Sequence, residues 1–275
     1  MNLLNFMIAV IYGIIQGITE WLPISSTGHL ILANEIPFLN INNVNGISEG
    51  FFDMFLVVIQ LASILAVILI YFKKLNPLSK AGLKKDTLSL WYKVIVGVIP
   101  AAVIGLLFDD FIEEKMNNAY VVATTLIIYG IFFIIIESRN KKSSINNIDS
   151  LSYKTAFLIG VFQILALIPG TSRSGSTILG ATLLGTSRVV AAEFSFFLAI
   201  PVMFGASFLK LLKYGFTFTQ VEIFILAVGF ITSFVVSLFA IKFLVSYIKK
   251  HSFKSFGYYR IILGIIVLIY FLTVI

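Results

Sequence analysis

Two polar interruptions in an otherwise apolar chain carry the residue types that phosphoryl chemistry needs. The first reads Gln16-Gly-Ile-Thr-Glu20-Trp-Leu-Pro23-Ile-Ser25-Ser26-Thr27-Gly28-His29. Gly13, Gln16, Gly17 and Glu20 fall at i, i+3, i+4 and i+7, on one face of a helix. Pro23 ends that helix. Ser25, Ser26 or Thr27 can cap a new one, whose free N–H groups and positive dipole end suit an anion. Ser26 and His29 share a face if the new helix starts by Ser26. The second interruption reads Pro169-Gly170-Thr171-Ser172-Arg173-Ser174-Gly175-Ser176-Thr177. It is another helix break, rich in hydroxyl donors, with one guanidinium of the kind that binds phosphate oxygens two at a time. Together the breaks supply hydroxyls, backbone amides, Arg173, a nucleophile and the acid/base pair His29 and Glu20. That combination points to phosphoryl transfer on an amphiphilic substrate.

What must position these residues is a membrane domain. Of 275 residues, 59% are hydrophobic and only 12% charged, and the mean hydropathy is +1.02. Soluble domains are about half apolar and about a quarter charged, so an ordinary soluble protein, a disordered chain and a coiled coil are excluded. Continuous rather than alternating apolar runs argue against a transmembrane barrel. The chain has no cysteine, which excludes disulfides, thiol chemistry and Cys-based metal sites. The first apolar stretch lacks a basic flank and a small-residue cleavage site, so it is not read as a removable signal peptide.

Six segments approach the roughly 20 residues that cross a bilayer: Phe51–Phe72, Trp91–Phe111, Ala119–Ile136, Val189–Leu212, Val221–Ile248 and Phe256–Ile275. Asn2–Leu22 and Thr155–Ile168 instead run into the two breaks and resume as Leu30–Ala33 and Ile178–Leu184. Non-helical backbone at membrane depth is tolerated only where protein buries it or a wet cavity lines it. The expected fold is therefore an all-α polytopic membrane protein. It has six transmembrane helices plus two re-entrant helix–loop–helix hairpins, at about 2–34 and 155–185. The hairpins resemble each other: at an offset of 147, Gly13, Gln16, Ser25, Thr27 and Gly28 fall on Gly160, Gln163, Ser172, Ser174 and Gly175. Further along, at a shorter offset of 132, Val96-Gly97 falls on Val228-Gly229. One membrane domain, 1–275, then divides into halves of about 1–140 and 150–275. Three crossings per half invert the second relative to the first, a transporter-like architecture whose site lies where the broken helices converge.

The formal charge of +7 is a topology signal rather than a mark of nucleic-acid binding. Sixteen of the twenty Lys and Arg, including Lys80, Lys141, Arg188, Lys249 and Arg260, fall in loops on one side. The other side holds most of the acidic residues. The positive-inside rule places the basic loops in the cytoplasm and both termini outside, and those loops are read as lipid headgroup contacts. Trp21 is expected to anchor at the membrane interface, Asp53 to be interfacial, Glu193 to snorkel, and His251 to be solvated.

QGITEWLPISSTGHL and PGTSRSGST resemble the two signature motifs of the undecaprenyl-diphosphate phosphatase family, the bacitracin-resistance type. The similarity extends through FFDMFLVVIQLASILAVILIY and EFSFFLAIP. The resemblance implies hydrolysis of undecaprenyl diphosphate to the monophosphate, which recycles the lipid carrier for peptidoglycan and other cell-wall synthesis, sustains cell shape and confers bacitracin resistance. It implies a multi-pass protein of the cell membrane with its site open to the extracytoplasmic side, and a divalent cation, Mg²⁺ or Ca²⁺. Its functional positions match Glu20, Ser25, Ser26, Thr27, His29, Ser172, Arg173 and Ser174.

On this reading Ser26, His29, Glu20 and Arg173 are catalytic, with His29 either the base for Ser26 or itself the nucleophile. Ser25, Thr27, Thr171, Ser172, Arg173 and Ser174 bind substrate. Glu20 is a metal ligand or orients His29. Gln16 stands where the family motif can begin with a second glutamate; it supports the site from behind and cannot act as a base. The expected partners are the polyprenyl diphosphate lipid and the membrane, without nucleic acid, and a homodimer is left open. A polyprenyl-phosphate transporter or flippase built on the same broken helices is the alternative, with Glu20 as its proton-coupling group.

Overall fold

The computed structural model describes residues 3–79, 82–116, 118–139, 142–215 and 217–274. Lys80 and Lys141, two of the cations in the charge sorting, lie outside the described residues. The chain is helical almost throughout: α1 Leu3–Thr19, α2 Ser26–Glu35, α3 Phe51–Ile70, α4 Phe72–Leu75, α5 Lys85–Met116, α6 Ala119–Ser138, α7 Tyr153–Ile164, α8 Arg173–Leu183, α9 Arg188–Tyr214, α10 Gln220–Lys250 and α11 Lys254–Val274. A two-residue β ribbon, Leu78–Ser79 against Gly82–Leu83, decorates the loop before α5. Among the described residues, α3, α5, α6, α9, α10 and α11 are long and apolar enough to cross a membrane. They coincide with the six expected spans, and the chain is a multi-pass membrane protein.

The four remaining long helices form two pairs, and both are broken where the sequence turns polar. α1 stops at Thr19 and α2 starts at Ser26; α7 tightens into a 3₁₀ turn, Leu165–Leu167, before α8 starts at Arg173. The first helix of each pair is held by close backbone approach. α1 lies along α10 and α7 along α5. A Cβ on Gly13 would sit 2.9 Å from the Gly229 carbonyl oxygen, and one on Gly160 would run into the Gly97 carbonyl. Small residues let helices pack this tightly where no hydrophobic effect drives them together.

The core under the breaks is aromatic: Trp21, Phe194, Phe196 and Phe197 are fully buried there. Trp21 is thus not an interface anchor. It packs edge-on against Phe196, with ring centroids 5.2 Å apart, because the chain that follows α1 turns inward rather than toward the lipid surface. Glu193 is paired with Lys74 at 2.7 Å rather than snorkelling alone. Asp53 lies in the first turn of α3, and His251 is exposed and stacks on Tyr247.

Overpacking a tight contact costs about 1–3 kcal/mol. Gly160→Ala should therefore lower the melting temperature of detergent-purified protein. Gly205→Ala, where nothing lies within 4 Å of the added carbon, should leave it unchanged or raised. Equal effects from the two would contradict the α5–α7 contact.

Candidate active site

Each break is closed by a serine in a left-handed backbone conformation. Ser25 has φ 73° and Ser172 φ 72°, and they are the only non-glycine residues with positive φ among the described residues. Such backbone costs on the order of 1–3 kcal/mol per residue and persists where surroundings enforce it. Each hydroxyl caps the helix it precedes: Ser25 Oγ accepts the Gly28 N–H at 3.3 Å, and Ser172 Oγ accepts the Gly175 N–H at 3.1 Å. With the cap supplied by Ser25, Ser26 is free to project its hydroxyl from the first turn of α2. Thr27 is exposed.

The two breaks meet through a largely buried ion pair. Arg173 Nη2 donates to Glu20 Oε1 at 2.8 Å, and the Glu20 side chain is only 5% exposed. The other carboxylate oxygen, Oε2, accepts from Gln16 Nε2 and from Ser26 Oγ, both at 3.0 Å. Arg173 Nη1 donates to the Ser195 carbonyl at 2.8 Å and faces the Ser195 hydroxyl at 3.3 Å. Its guanidinium carbon lies 5.8 Å from the Trp21 ring. Ser174 adds a second tie, its hydroxyl 3.2 Å from the Glu20 carbonyl and 3.1 Å from Ser172 Oγ. Ser195 Oγ in turn meets Thr177 Oγ1 at 2.7 Å.

Arg260 is the residue that the sequence misplaced. Counted among the cytoplasmic loop cations, it is instead completely buried within α11. Nη1 donates to the Pro23 carbonyl at 3.2 Å, and Nη2 donates to the carbonyls of Gly170 and Thr171 at 3.0 and 2.9 Å. One guanidinium thus satisfies backbone acceptors that both helix breaks leave exposed, groups that are costly to bury unpaired. The signal was an arginine inside an apolar segment, a position that is expensive unless it serves a site or a partner. Ser195 and Tyr259 gave no such signal.

His29 does not face Ser26. Its Nδ1 lies 2.7 Å from the Ser25 carbonyl and its Nε2 lies 2.6 Å from the Tyr259 hydroxyl. A carbonyl only accepts, so Nδ1 carries the proton and Nε2 accepts from Tyr259. Desolvation pulls the imidazole below its usual pKa of 6.5; the bond to Ser25 opposes this and the charge of Arg260 adds to it. The hydroxyl of Ser26 is held by Glu20, six residues back on the other arm of the break.

The cluster contains two guanidiniums and one carboxylate, an excess of positive charge beside two helix N-termini. That is a setting for an anion. Five buried polar atoms in and beside it lack a partner: Gln16 Oε1, Trp21 Nε1, Thr171 Oγ1, Arg173 Nε and Arg260 Nε. Among the described residues, no group of three His, Cys, Asp or Glu could by itself enclose a metal ion. Gln16 Oε1 is unpartnered, and the Glu20 carboxylate, engaged here by Arg173, Gln16 and Ser26, would offer an oxygen to a cation once Arg173 turned to phosphate. This small set fits a hard divalent ion that takes its remaining ligands from phosphate and water.

Residues 9–266 match the model of the family described as "Bacitracin resistance protein BacA". The chain is 58% identical to the undecaprenyl-diphosphatase of Acetivibrio thermocellus over 99% of its own length and all of that protein's. It is 60% identical to undecaprenyl-diphosphatase 1 of Clostridioides difficile, covering 98% of this chain and 97% of the relative. It is 53% identical to an undecaprenyl-diphosphatase of Enterococcus faecalis over 98% of both.

Two expectations follow from this geometry. Arg260→Leu strands three buried carbonyls, at about 1–3 kcal/mol each, and should lower the melting temperature sharply, with Arg260→Lys recovering only part. Acid should also destabilise the protein through His29: its folded pKa lies below the unfolded one, so its contribution is present above about 6.5 and lost as pH falls through the folded value. His29→Gln should flatten that part of the stability–pH curve. An unchanged curve would contradict the assigned environment.

Proposed function

We propose that this chain, which belongs to the bacitracin resistance protein BacA family, hydrolyses undecaprenyl diphosphate to the monophosphate and inorganic phosphate. The family membership and the diphosphatase name carried by relatives at 53–60% identity support the reading. They give no support to the transporter alternative. The observation that carries the chemistry is the Glu20 carboxylate, which joins the Ser26 hydroxyl of one break to the Arg173 guanidinium of the other.

The terminal phosphate would enter between the two helix N-termini. Arg173 exchanges Glu20 for phosphate oxygens, a planar two-point match that strengthens as charge develops on the transferred group. Ser26 Oγ attacks the terminal phosphorus, and its proton passes to Glu20 Oε2, 3.0 Å away before reaction. The bond from phosphorus to the bridging oxygen breaks, and the lipid monophosphate leaves with that electron pair. Water then splits the phosphoserine: its hydroxyl goes to phosphorus, one hydrogen returns to Ser26 Oγ, and Glu20 releases its proton to solvent. Ser25, Thr27, Thr171, Ser172 and Ser174 surround the phosphate. His29, tied to Tyr259, stands at the same turn, and the alternative path makes it the nucleophile.

A divalent cation, Mg²⁺ or Ca²⁺, belongs to this proposal. Glu20 and Gln16 Oε1 would hold it with oxygens of the diphosphate, and it would supply charge neutralisation. The architecture we propose is an inverted repeat of two re-entrant hairpins, with the site open to the extracytoplasmic side and both termini outside. Two features support it. Ser25 and Ser172, equivalent by the 147-residue offset, share the same φ and the same cap. Gly13 packs on Gly229 and Gly160 on Gly97, so that each half's hairpin seats on the other half's matching span.

Phosphate release from a C55 diphosphate by purified protein tests the reading: release that chelator abolishes is expected, and none at all would overturn it. Arg173→Ala and Ser26→Ala should each lose at least about a hundredfold in kcat, with Gln16→Ala milder. Acid-stable radiolabelled phosphate trapped on Ser26 would support the serine path; acid-labile label on His29 would replace it with the histidine path.

A further inference from the structure

A cavity of about 490 Å³ lies far from the reacting groups. It sits at the C-terminal end of α8, whose N-terminus carries Arg173, so the two places are separated by about 15 Å of helix. Its walls come from the end of α6, the 142–147 loop, the start of α9 and the end of α10. The loop is stapled in place: Ser144 N and Ile145 N donate to the Gly185 carbonyl at 2.9 and 3.0 Å, and Ser187 N donates to the Ile145 carbonyl at 2.8 Å.

The lining is cationic and its one carboxylate is neutralised. Glu137 is buried and gripped by Arg188, with Nε at 3.0 and 3.1 Å from its two oxygens and Nη2 at 2.6 Å. Arg139, Lys142 and Lys249 also line the cavity and join none of the ion pairs among the described residues. Three positive charges therefore face the space without an ion-pair partner among the described residues. The 27-residue helix α9 begins in the same wall. Ser187 Oγ caps it through the Val190 N–H at 3.4 Å, and the N–H groups before Val190 have no partner within the helix. Thr186, 3% exposed and also lining the cavity, holds a buried hydroxyl with no partner. Three of the carbonyls at the end of α8, which would repel an anion, are occupied: those of Gly180, Ala181 and Thr182 accept from Leu184, Thr186 and Gly185.

We propose that this cavity is a second anion site, which binds a phosphate group on the face opposite the candidate active site. Unpaired cations, a helix N-terminus and a spare hydroxyl are the elements of phosphate recognition. The apolar rim of Ile136, Leu183, Val189 and Ile248 suits a phosphate on an amphiphile as well as a free ion. The proposal stands whether or not the active-site chemistry above is correct.

Calorimetric titration of the full-length protein in detergent tests it, with inorganic phosphate and short-chain phosphatidylglycerol as separate probes. The triple variant Arg139→Ala/Lys142→Ala/Lys249→Ala should bind at least one probe about tenfold more weakly or worse, a loss of about 1.4 kcal/mol. Arg139→Lys/Lys142→Arg/Lys249→Arg should keep the affinity. The three side chains are exposed, so both variants should fold, and unchanged melting temperatures confirm it. A loss confined to inorganic phosphate identifies a free-ion site; a loss confined to the lipid identifies a headgroup site. Binding of neither probe, or equal binding by the alanine variant and the unsubstituted protein, overturns the proposal.

Discussion

A buried carboxylate and a largely buried guanidinium, both drawn from helix breaks, hold the candidate site together. Glu20 and Arg173 are each expensive to place inside an apolar protein, and removing either alone would leave an unpaired charge. Their contact at 2.8 Å makes the two breaks one unit although 153 residues separate them in sequence. Arg260 completes it from a third direction. It supplies hydrogen bonds to the carbonyls that interrupted helices expose. Broken backbone among apolar helices is tolerated only on such terms.

That arrangement explains why the serines at each break differ in role. Ser25 and Ser172 accept strained backbone and cap their helices, which leaves Ser26 and Arg173, the first residues of α2 and α8, to meet at the Glu20 carboxylate. The strain fixes the hydroxyls and helix N-termini of both breaks in place. On the proposed chemistry, a diphosphate would compete with Glu20 for Arg173 and so free one oxygen of the carboxylate that holds Ser26.

Much of this was legible in the residues. Apolar runs of the right length marked the six spans, and Pro23 and Pro169-Gly170 marked both breaks, because helix termination and hydrophobic length are local properties. Glu20, Ser26 and Arg173 stood out because polar groups in apolar segments need a reason. Pairwise geometry was not local. Nothing in SSTGH says that Ser26 turns back to Glu20 while His29 turns to Tyr259, since that depends on Ser25 taking a left-handed conformation and on α11 packing against α6. Arg260 was misassigned for a related reason: charge counting treats a cation near a helix end as a loop residue, and only packing shows that it points inward. Trp21 failed likewise, as its amphipathic ring suits an interface until the chain around it turns into the core.

The most direct test is a double-mutant cycle on thermodynamic stability, with Glu20→Gln, Arg173→Gln and the pair, measured by reversible unfolding in detergent. Because each single variant strands a buried charge and the double strands none, the double should be no less stable than the worse single. The coupling should exceed about 1 kcal/mol, within the range for residues in contact. Losses that simply add, to within about 0.5 kcal/mol, would show that the two helix breaks do not meet.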